Sequence, residues 1–431
     1  MKRSIAILFI LVLSGAAVFA GGGRQNAAPA DPNAPVNLTV WCWDPNYNIY
    51  AIKEAEKIYK KDHPNVSVTV VETSLHDIQQ KLITAFTSRQ TQTLPDITLI
   101  ADNDIQKNLQ NFPNAFIPVN DKVNISQMAK STVEVSSYNG KNYTVPFGSG
   151  VTGTFLRRDY IEKAGLKVSD FDSITWERFI ELGKIVKEKA GVPLISFTPQ
   201  SLDTLFIMLQ GAGQWFFDNQ GKAYIKNNPT IRRIIELHKE MVDSGIVLLV
   251  TDWNGYIASL NGGTVASTIQ GCWIIGSIAA ETSQAGKWAM VNTPKFANIN
   301  SANSSVQGGS GWVVLSSSKY PDVALDFLSK TFAGSVELYD TILPSSGAVS
   351  TWLPAINSPA YKQPHPFFGG QKVFEDLGGY LDKVPPVKYG VYNYEARDAV
   401  GRAIAEVVLQ GASIDSALDT AQREVEFLIN Q

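Results

Sequence analysis

The sequence predicts an α/β protein with a parallel, doubly wound sheet, and three observations carry the prediction. Short β-rich apolar runs stand at 38–43, 66–71 and 97–100. The two segments between them place apolar residues at helical spacing, so strand and helix alternate within about 65 residues. Hydrophobic residues make up 44% of the 431, ample for a large core. The length allows about two or three domains.

The first twenty residues read as an export signal. Lys2-Arg3 precedes an apolar run from Ile5 to Leu13, and small residues follow up to Ala20. The run is too short for a comfortable membrane span. No Cys stands near Gly21-Gly22-Gly23 to accept a lipid, so release into a periplasm is expected rather than anchoring. Residues 21–35, rich in Gly, Ala, Pro and Asn, read as a disordered tether.

The strand at 38–43 leads into a helix over 47–61 with Ala51, Ile52, Ala55, Ile58 and Tyr59 on one stripe, ended by Pro64. The strand at 66–71 leads into a helix over 75–88 carrying Leu75, Ile78, Leu82, Ile83 and Phe86. Right-handed crossovers then set the ends of the first and third strands side by side. Those ends carry Trp43-Asp44-Pro45-Asn46 and Ala101-Asp102-Asn103-Asp104, where open α/β sheets bind ligands. Asp44 and Asp102 can equally cap the helices that follow, and one residue can do both.

Residues 139–157 read as strands around a tight glycine turn. Thr175 caps a helix containing Trp176 and Phe179, and Asn228-Pro229 opens another that Gly245 stops. His238 on that second stripe reads as a packed helix residue, and Arg232-Arg233 as a solvated face. A strand at 264–269 enters Gly271-Cys272-Trp273, and Gly308-Gly309-Ser310-Gly311-Trp312 enters a strand at 313–315. Ser413 caps a last helix with Ile414, Ala417, Leu418, Ala421, Val425 and Leu428 on one face.

Charged residues are 18%, below the roughly 25% of an average chain, and the formal charge is −3. With no long basic run, nucleic-acid binding is not expected. Low charge with 10% aromatics leans toward a neutral polar ligand. Cys42 and Cys272 are the only cysteines, and the four histidines are scattered, so no metal site or other cofactor is expected. Gly148 to Gly153 matches GxGxxG but leads into a strand rather than a helix, which rejects a dinucleotide site. There is no GxxxxGK[ST], HExxH or GxSxG.

What stands out is tryptophan at loop edges. Trp43, Trp215, Trp253, Trp273 and Trp312 each lie beside Gly, Asp or Asn, whereas Trp41 and Trp176 read as core. An indole can stack on the C–H face of a sugar while Asp, Asn and backbone N–H groups meet its hydroxyls. Each such Trp can equally be a plug over a domain edge.

The order of these landmarks resembles the extracellular solute-binding proteins, family 1, of carbohydrate ABC transporters. The pieces are LTVWCWD at 38–44, HPNVSVTV at 63–70, LPDITLI at 94–100, YTVPFGSG at 143–150 and LRRDYIEKAGL at 156–166. ITWERF at 174–179, GGTVASTIQGCW at 262–273, KWAMVNTPKF at 287–296 and GGSGWVVLSSSKYPDVALDFLSKTF at 308–332 follow. Arg157 and Arg178 depart from the family's usual residues, and the lipid-anchor Cys is absent.

The resemblance implies a two-lobe periplasmic-binding-protein-like fold (type II), its discontinuous lobes joined by hinge strands. The N-terminal lobe would be 36–148 with 290–338 and the C-terminal lobe 149–289 with 339–431. The chain would then cross near Phe147, Val291 and Leu343. It also implies ligand contacts from Trp43, Asp44, Asn46, Asp102, Asn103, Trp273, Gly308 and Gly309; Trp215, Trp253 and Trp312 are added by loop position. A Cys42–Cys272 bond, which an oxidising compartment permits, would staple the two lobes, so free thiols are expected.

The reading is a monomeric, non-enzymatic receptor that captures a sugar or oligosaccharide between its lobes and delivers it to ABC permease subunits, touching the membrane only through them. The alternative keeps the receptor but makes the solute a peptide, polyamine or organic ion, which charge concentrated in the cleft would favour. A glycoside-active enzyme would need a carboxylate pair across the cleft. A lone adhesion module is disfavoured because no repeat is found.

Overall fold

The computed structural model describes residues 34–45 and 47–430. The expected signal and nearly all of the tether lie outside them. Eleven strands are present among the described residues: β1 (Val36–Cys42), β2 (Val66–Glu72), β3 (Ile97–Ala101), β4 (Ser137–Tyr138), β5 (Lys141–Asn142) and β6 (Val145–Arg157). Then come β7 (Ile195–Phe197), β8 (Val247–Leu249), β9 (Ser267–Gly271), β10 (Trp288–Val291) and β11 (Val306–Val314).

β1 lies between β2 and β3, parallel to both, so the first and third strand ends are adjacent as the crossover rule requires. The rest of this sheet is not parallel, which corrects the doubly wound expectation. β11 runs antiparallel to β3 and β6, and β9 and β10 run antiparallel to β6. The main sheet is therefore mixed, in the order β10-β6-β11-β3-β1-β2 with β9 also on β6. Parallel pairing returns in the separate two-stranded sheet β7-β8.

β6 joins two lobes. Its residues 145–151 pair with β11, and residues 152–157 pair with β9 and β10. Its glycines are in the strand because neighbours press on it. A β-carbon at Gly148 would clash with the Tyr47 ring, at Gly150 with the Gln307 carbonyl, and at Gly153 with Met290. The tight turn is instead Asn139-Gly140, both at positive φ, linking β4 to β5.

Strand pairing and hydrogen bonds show what surrounds two of the expected crossings. Residues 290–305, expected with the first lobe, bond to segments expected in the second: Thr152 N–H donates to Ser305 O (2.9 Å), and Trp176 N–H to Lys295 O (2.8 Å). β10 likewise pairs with the far half of β6. At Val306–Gly309, β11 reaches Val151 through a register shift. Helix Val336–Ser346 packs its Leu338, Tyr339 and Ile342 into the first lobe's core. After that helix, Ser149 N–H of β6 donates to Val349 O (3.0 Å).

The predicted caps form where local chemistry demands them. Thr175 Oγ1 accepts from Arg178 N–H (3.2 Å), Asn228 Oδ1 from Thr230 N–H (3.0 Å) and Ser413 Oγ from Ser416 N–H (3.3 Å). His238 is fully buried: Nδ1–H donates to Ile234 O (2.8 Å), which leaves Nε2 to accept from Ser201 Oγ (2.7 Å). Burial lowers its pKa to about 4. Trp176 is core, whereas Trp41 is only half-buried, with the Lys81 ammonium over its ring. Arg233 is not simply solvated: it is half-buried and bonds to Glu177 and Glu236.

Candidate ligand site

At the end of β1, Asn48 Oδ1 accepts the N–H groups of Trp43 (3.1 Å) and Asp44 (3.0 Å). Asp44 Oδ1 in turn accepts from Tyr47 N–H (3.0 Å), so Asp44 shapes the turn into helix Asn48–Tyr59. It is not the helix cap, which falls at Tyr47 with no side-chain bond. Trp43 is half-buried, and Asn46 lies outside the described residues.

At the end of β3, Asp102 opens helix Asp102–Asn111 and is 8% exposed. Among the described residues its carboxylate accepts no hydrogen bond, and burial pushes its pKa up to about 7. Asn103 meets Tyr394, and Tyr394 Oη also reaches Asp104 Oδ2 (3.4 Å). Burial pushes Asp104 up to about 6, against the pull of Gln79, Lys107, Tyr394 and Arg397. Lys107 Nζ pairs with Glu395 (3.0 Å), so this helix of the first lobe bonds directly to helix Asn393–Gln410.

Asp252 Oδ1 caps helix Trp253–Asn261 by accepting from Gly255 N–H (2.8 Å). That cap sets Trp253 at the helix start, 46% exposed. Its ring centre lies 5.1 Å from Tyr256 and 5.6 Å from half-buried Trp273, which makes a three-ring wall. Behind it is a cavity of about 210 Å³ lined by Phe197, Asp203, Asp252, Trp253, Tyr256 and Gln270.

Asp203 is held on both oxygens: Gln307 Nε2 donates to Oδ1 (2.6 Å) and Gln270 Nε2 to Oδ2 (2.9 Å). Burial raises its pKa; the two amides and Arg397 pull the other way. Trp273 Nε1 donates to Gln307 O (3.1 Å). The Gly308-Gly309 step follows, with Trp273 Nε1 beside Gly308 and the Asp102 carboxylate beside Gly309. This grouping offers carboxylate acceptors, amides and exposed ring faces, a set suited to hydroxyl donors and apolar C–H surfaces.

The structure thus brings Asp102, Trp253, Trp273, Gly308 and Gly309 together. Two expected contact residues are buried in aromatic packing. Trp312 is 0% exposed, packed between Phe147 and Phe332 in the first lobe's core at centroid distances of 5.7 and 5.3 Å. Trp215 is buried on Phe206 (5.0 Å), with Tyr389 edge-on at 4.7 Å, and its N–H is used by Asn393 Oδ1 (2.7 Å). It is a plug behind Tyr389.

Asp203, Tyr256, Gln270 and Gln307 are not among the residues the sequence singles out. The signal for Gln270 and Gln307 is an amide beside glycine in a strand that is otherwise buried; Asp203 looks like any first-turn acid. Cys42 and Cys272 are free, fully buried, and both pushed up to about 12 chiefly by burial. Among the described residues, no cluster of His, Cys, Asp or Glu could hold a metal ion, and no helix is long and apolar enough to cross a membrane.

Comparison with known proteins gives the family and the fold. The family model described as bacterial extracellular solute-binding protein matches residues 54–363. The chain is 38% identical over 421 residues, 97% of it and 96% of the relative, to a lactose-binding protein of Rhizobium radiobacter. It is 24% identical over 351 residues, 78% of it and 77% of the relative, to an arabinooligosaccharide-binding protein of Halalkalibacterium halodurans. A crystal structure of an extracellular solute-binding protein of family 1 superposes with a TM-score of 0.77 at 19% identity, covering 91% of this chain and 99% of that one. The fold is thus the two-lobe α/β fold of periplasmic binding proteins, and the chain belongs to the bacterial extracellular solute-binding proteins.

Proposed function

We propose that this protein is the sugar receptor of an ABC importer, exported to the periplasm after cleavage near Ala20, acting as a monomer without catalysis. Its ligand is a neutral disaccharide or short oligosaccharide, with a lactose-like galactoside first in line because of the 38% identical relative. The lobes are 36–148 with 307–346, and 150–306 with 350–430. Asp102, Asn103, Asp203, Trp253, Tyr256, Gln270, Trp273, Gly308 and Gly309 contact the sugar, with Trp43 and Asp44 at the mouth.

The observation that carries this reading is the exposed indole of Trp253, next to Trp273 and on the wall of the cavity that Asp203 also lines. Covering roughly 100 Å² of apolar surface at about 25 cal/mol per Å² contributes roughly 2–3 kcal/mol. A hydroxyl donating to an ionised carboxylate adds about 1.5–3 kcal/mol. Both gains are largest when the lobes enclose the ligand, so the sugar itself favours closure, and the closed form is what the permease reads.

The test is calorimetry and tryptophan fluorescence with lactose, galactose and arabino-oligosaccharides, beside an oligopeptide, spermidine and citrate. Saturable binding of a sugar alone is expected. A panel in which no sugar moves either signal while one of the other solutes does would overturn it.

A further inference from the structure

The place where β11 crosses between lobes is also the place where the candidate site is anchored, and one residue does both. The Gln307 carbonyl lies so close to β6 and to the end of β9 that a β-carbon at Gly150 or Gly271 would clash with it or crowd it. Three segments of backbone therefore meet there without side chains between them. That carbonyl accepts the Trp273 indole N–H (3.1 Å), and the side-chain amide donates to Asp203 Oδ1 (2.6 Å). The next two residues, Gly308 and Gly309, have φ of +74° and +134°, backbone that L side chains rarely adopt. On one side of this left-handed pair is Gln307 with the aromatic wall, and on the other is Asp102 of the first lobe.

We propose that Gln307 is a positioning residue that couples the site to lobe movement. Its amide orients the Asp203 carboxylate toward ligand hydroxyls, and through its own backbone the same contact restrains the Gly308-Gly309 step. A sugar that loads Asp203 and Trp273 thereby acts on the crossing strand directly. Asp203 keeps the Gln270 amide on Oδ2 (2.9 Å) and feels the Arg397 charge and the Tyr256 hydroxyl, so it stays oriented only in part once Gln307 is shortened. The proposal rests on the receptor reading above for its ligand, but the restraint on the crossing does not need one.

The test uses the full chain with spin or dye pairs at Asp62→Cys and Lys187→Cys, both exposed positions on opposite lobes. Distances are measured with and without the sugar that binds best, alongside calorimetry. Gln307→Ala is expected to broaden the ligand-free distance distribution and weaken binding about tenfold or more. Gln307→Glu keeps the shape but sets two carboxylates face to face, which can share one proton. Its affinity relative to wild type is therefore expected to recover several-fold between pH 8 and pH 5.

A Gln307→Ala protein with wild-type distances and affinity would overturn the proposal. So would equal losses in both variants with a ratio to wild type that pH does not change, since that pattern marks general loss of packing. If the wild type binds no sugar, the receptor reading fails, while the ligand-free distances still decide the restraint at Gln307.

Discussion

The Asp102 carboxylate lies against the bare backbone of Gly309, at the point where β3 and β11 part: a β-carbon at residue 309 would clash with Asp102 Oδ2. The acid is buried, accepts no hydrogen bond among the described residues, and is pushed up to about 7. A carboxylate left so poorly compensated costs stability, and it leaves a strong acceptor facing whatever fills the gap.

Asp102→Asn should therefore stabilise the ligand-free protein while weakening sugar binding. The folded pKa lies above the unfolded value of 3.8, so the native state holds the proton more tightly. The associated stability is present below about pH 4 and lost as pH rises through about 7. Asp102→Asn should gain about 1–3 kcal/mol at pH 8 and little at pH 4. Urea melts at the two pH values check the sign, and calorimetry checks the loss of affinity.

Gly309→Ala should do the opposite. The added methyl meets Asp102 and must adopt φ of +134°, so a loss of about 2–4 kcal/mol is expected. Adding Asp102→Ala should return part of it. Thermal melting of the single and double variants measures the coupling.

Trp253 and Trp312 should separate cleanly. Trp253→Ala removes a ring that is 46% exposed, so stability should change by less than about 1 kcal/mol while sugar affinity falls about tenfold or more. Trp312→Ala empties a fully buried site and should cost about 3–5 kcal/mol, with near-normal affinity in the molecules that remain folded. Denaturant titration and calorimetry on both proteins decide it.

Sugar binding should weaken on acidification. Asp102 protonates as pH falls through about 7, and a neutral carboxyl is the poorer acceptor. A loss of about five- to tenfold between pH 7.5 and pH 5 is expected, and Asp102→Asn should flatten it. Titrations across that range provide the check.

Both thiols should resist alkylation and disulfide exchange. They are fully buried and pushed up to about 12, so almost no thiolate exists at pH 8. Ellman's reagent should find almost none in the native protein and two after denaturation.

Much of the frame was legible in the sequence, because caps, turns and amphipathic stripes act over a few residues. Thr175, Asn228 and Ser413 cap where they should, Trp176 and His238 lie inside, and β1 and β3 end side by side because crossover handedness leaves little choice. The antiparallel half of the sheet was not legible, since β11 pairs with β3 and β6 from far along the chain, as in Ser310 with Ala101 and Val306 with Val151.

The same limit applies to the site. The sequence by itself determined that the chain is α/β, that strand-end loops carry acids, and that indoles stand at loop edges. Only the tertiary structure decided that Trp253 faces outward and Trp312 inward, and that Asp203, Gln270 and Gln307 meet. The reason is physical: side chains alternate along a strand, so register decides which face Trp312, Gln270 and Gln307 join, and Trp253 and Asp203 go where their helices dock on that sheet. That register is set by pairing between segments remote in sequence, beyond the reach of any local pattern.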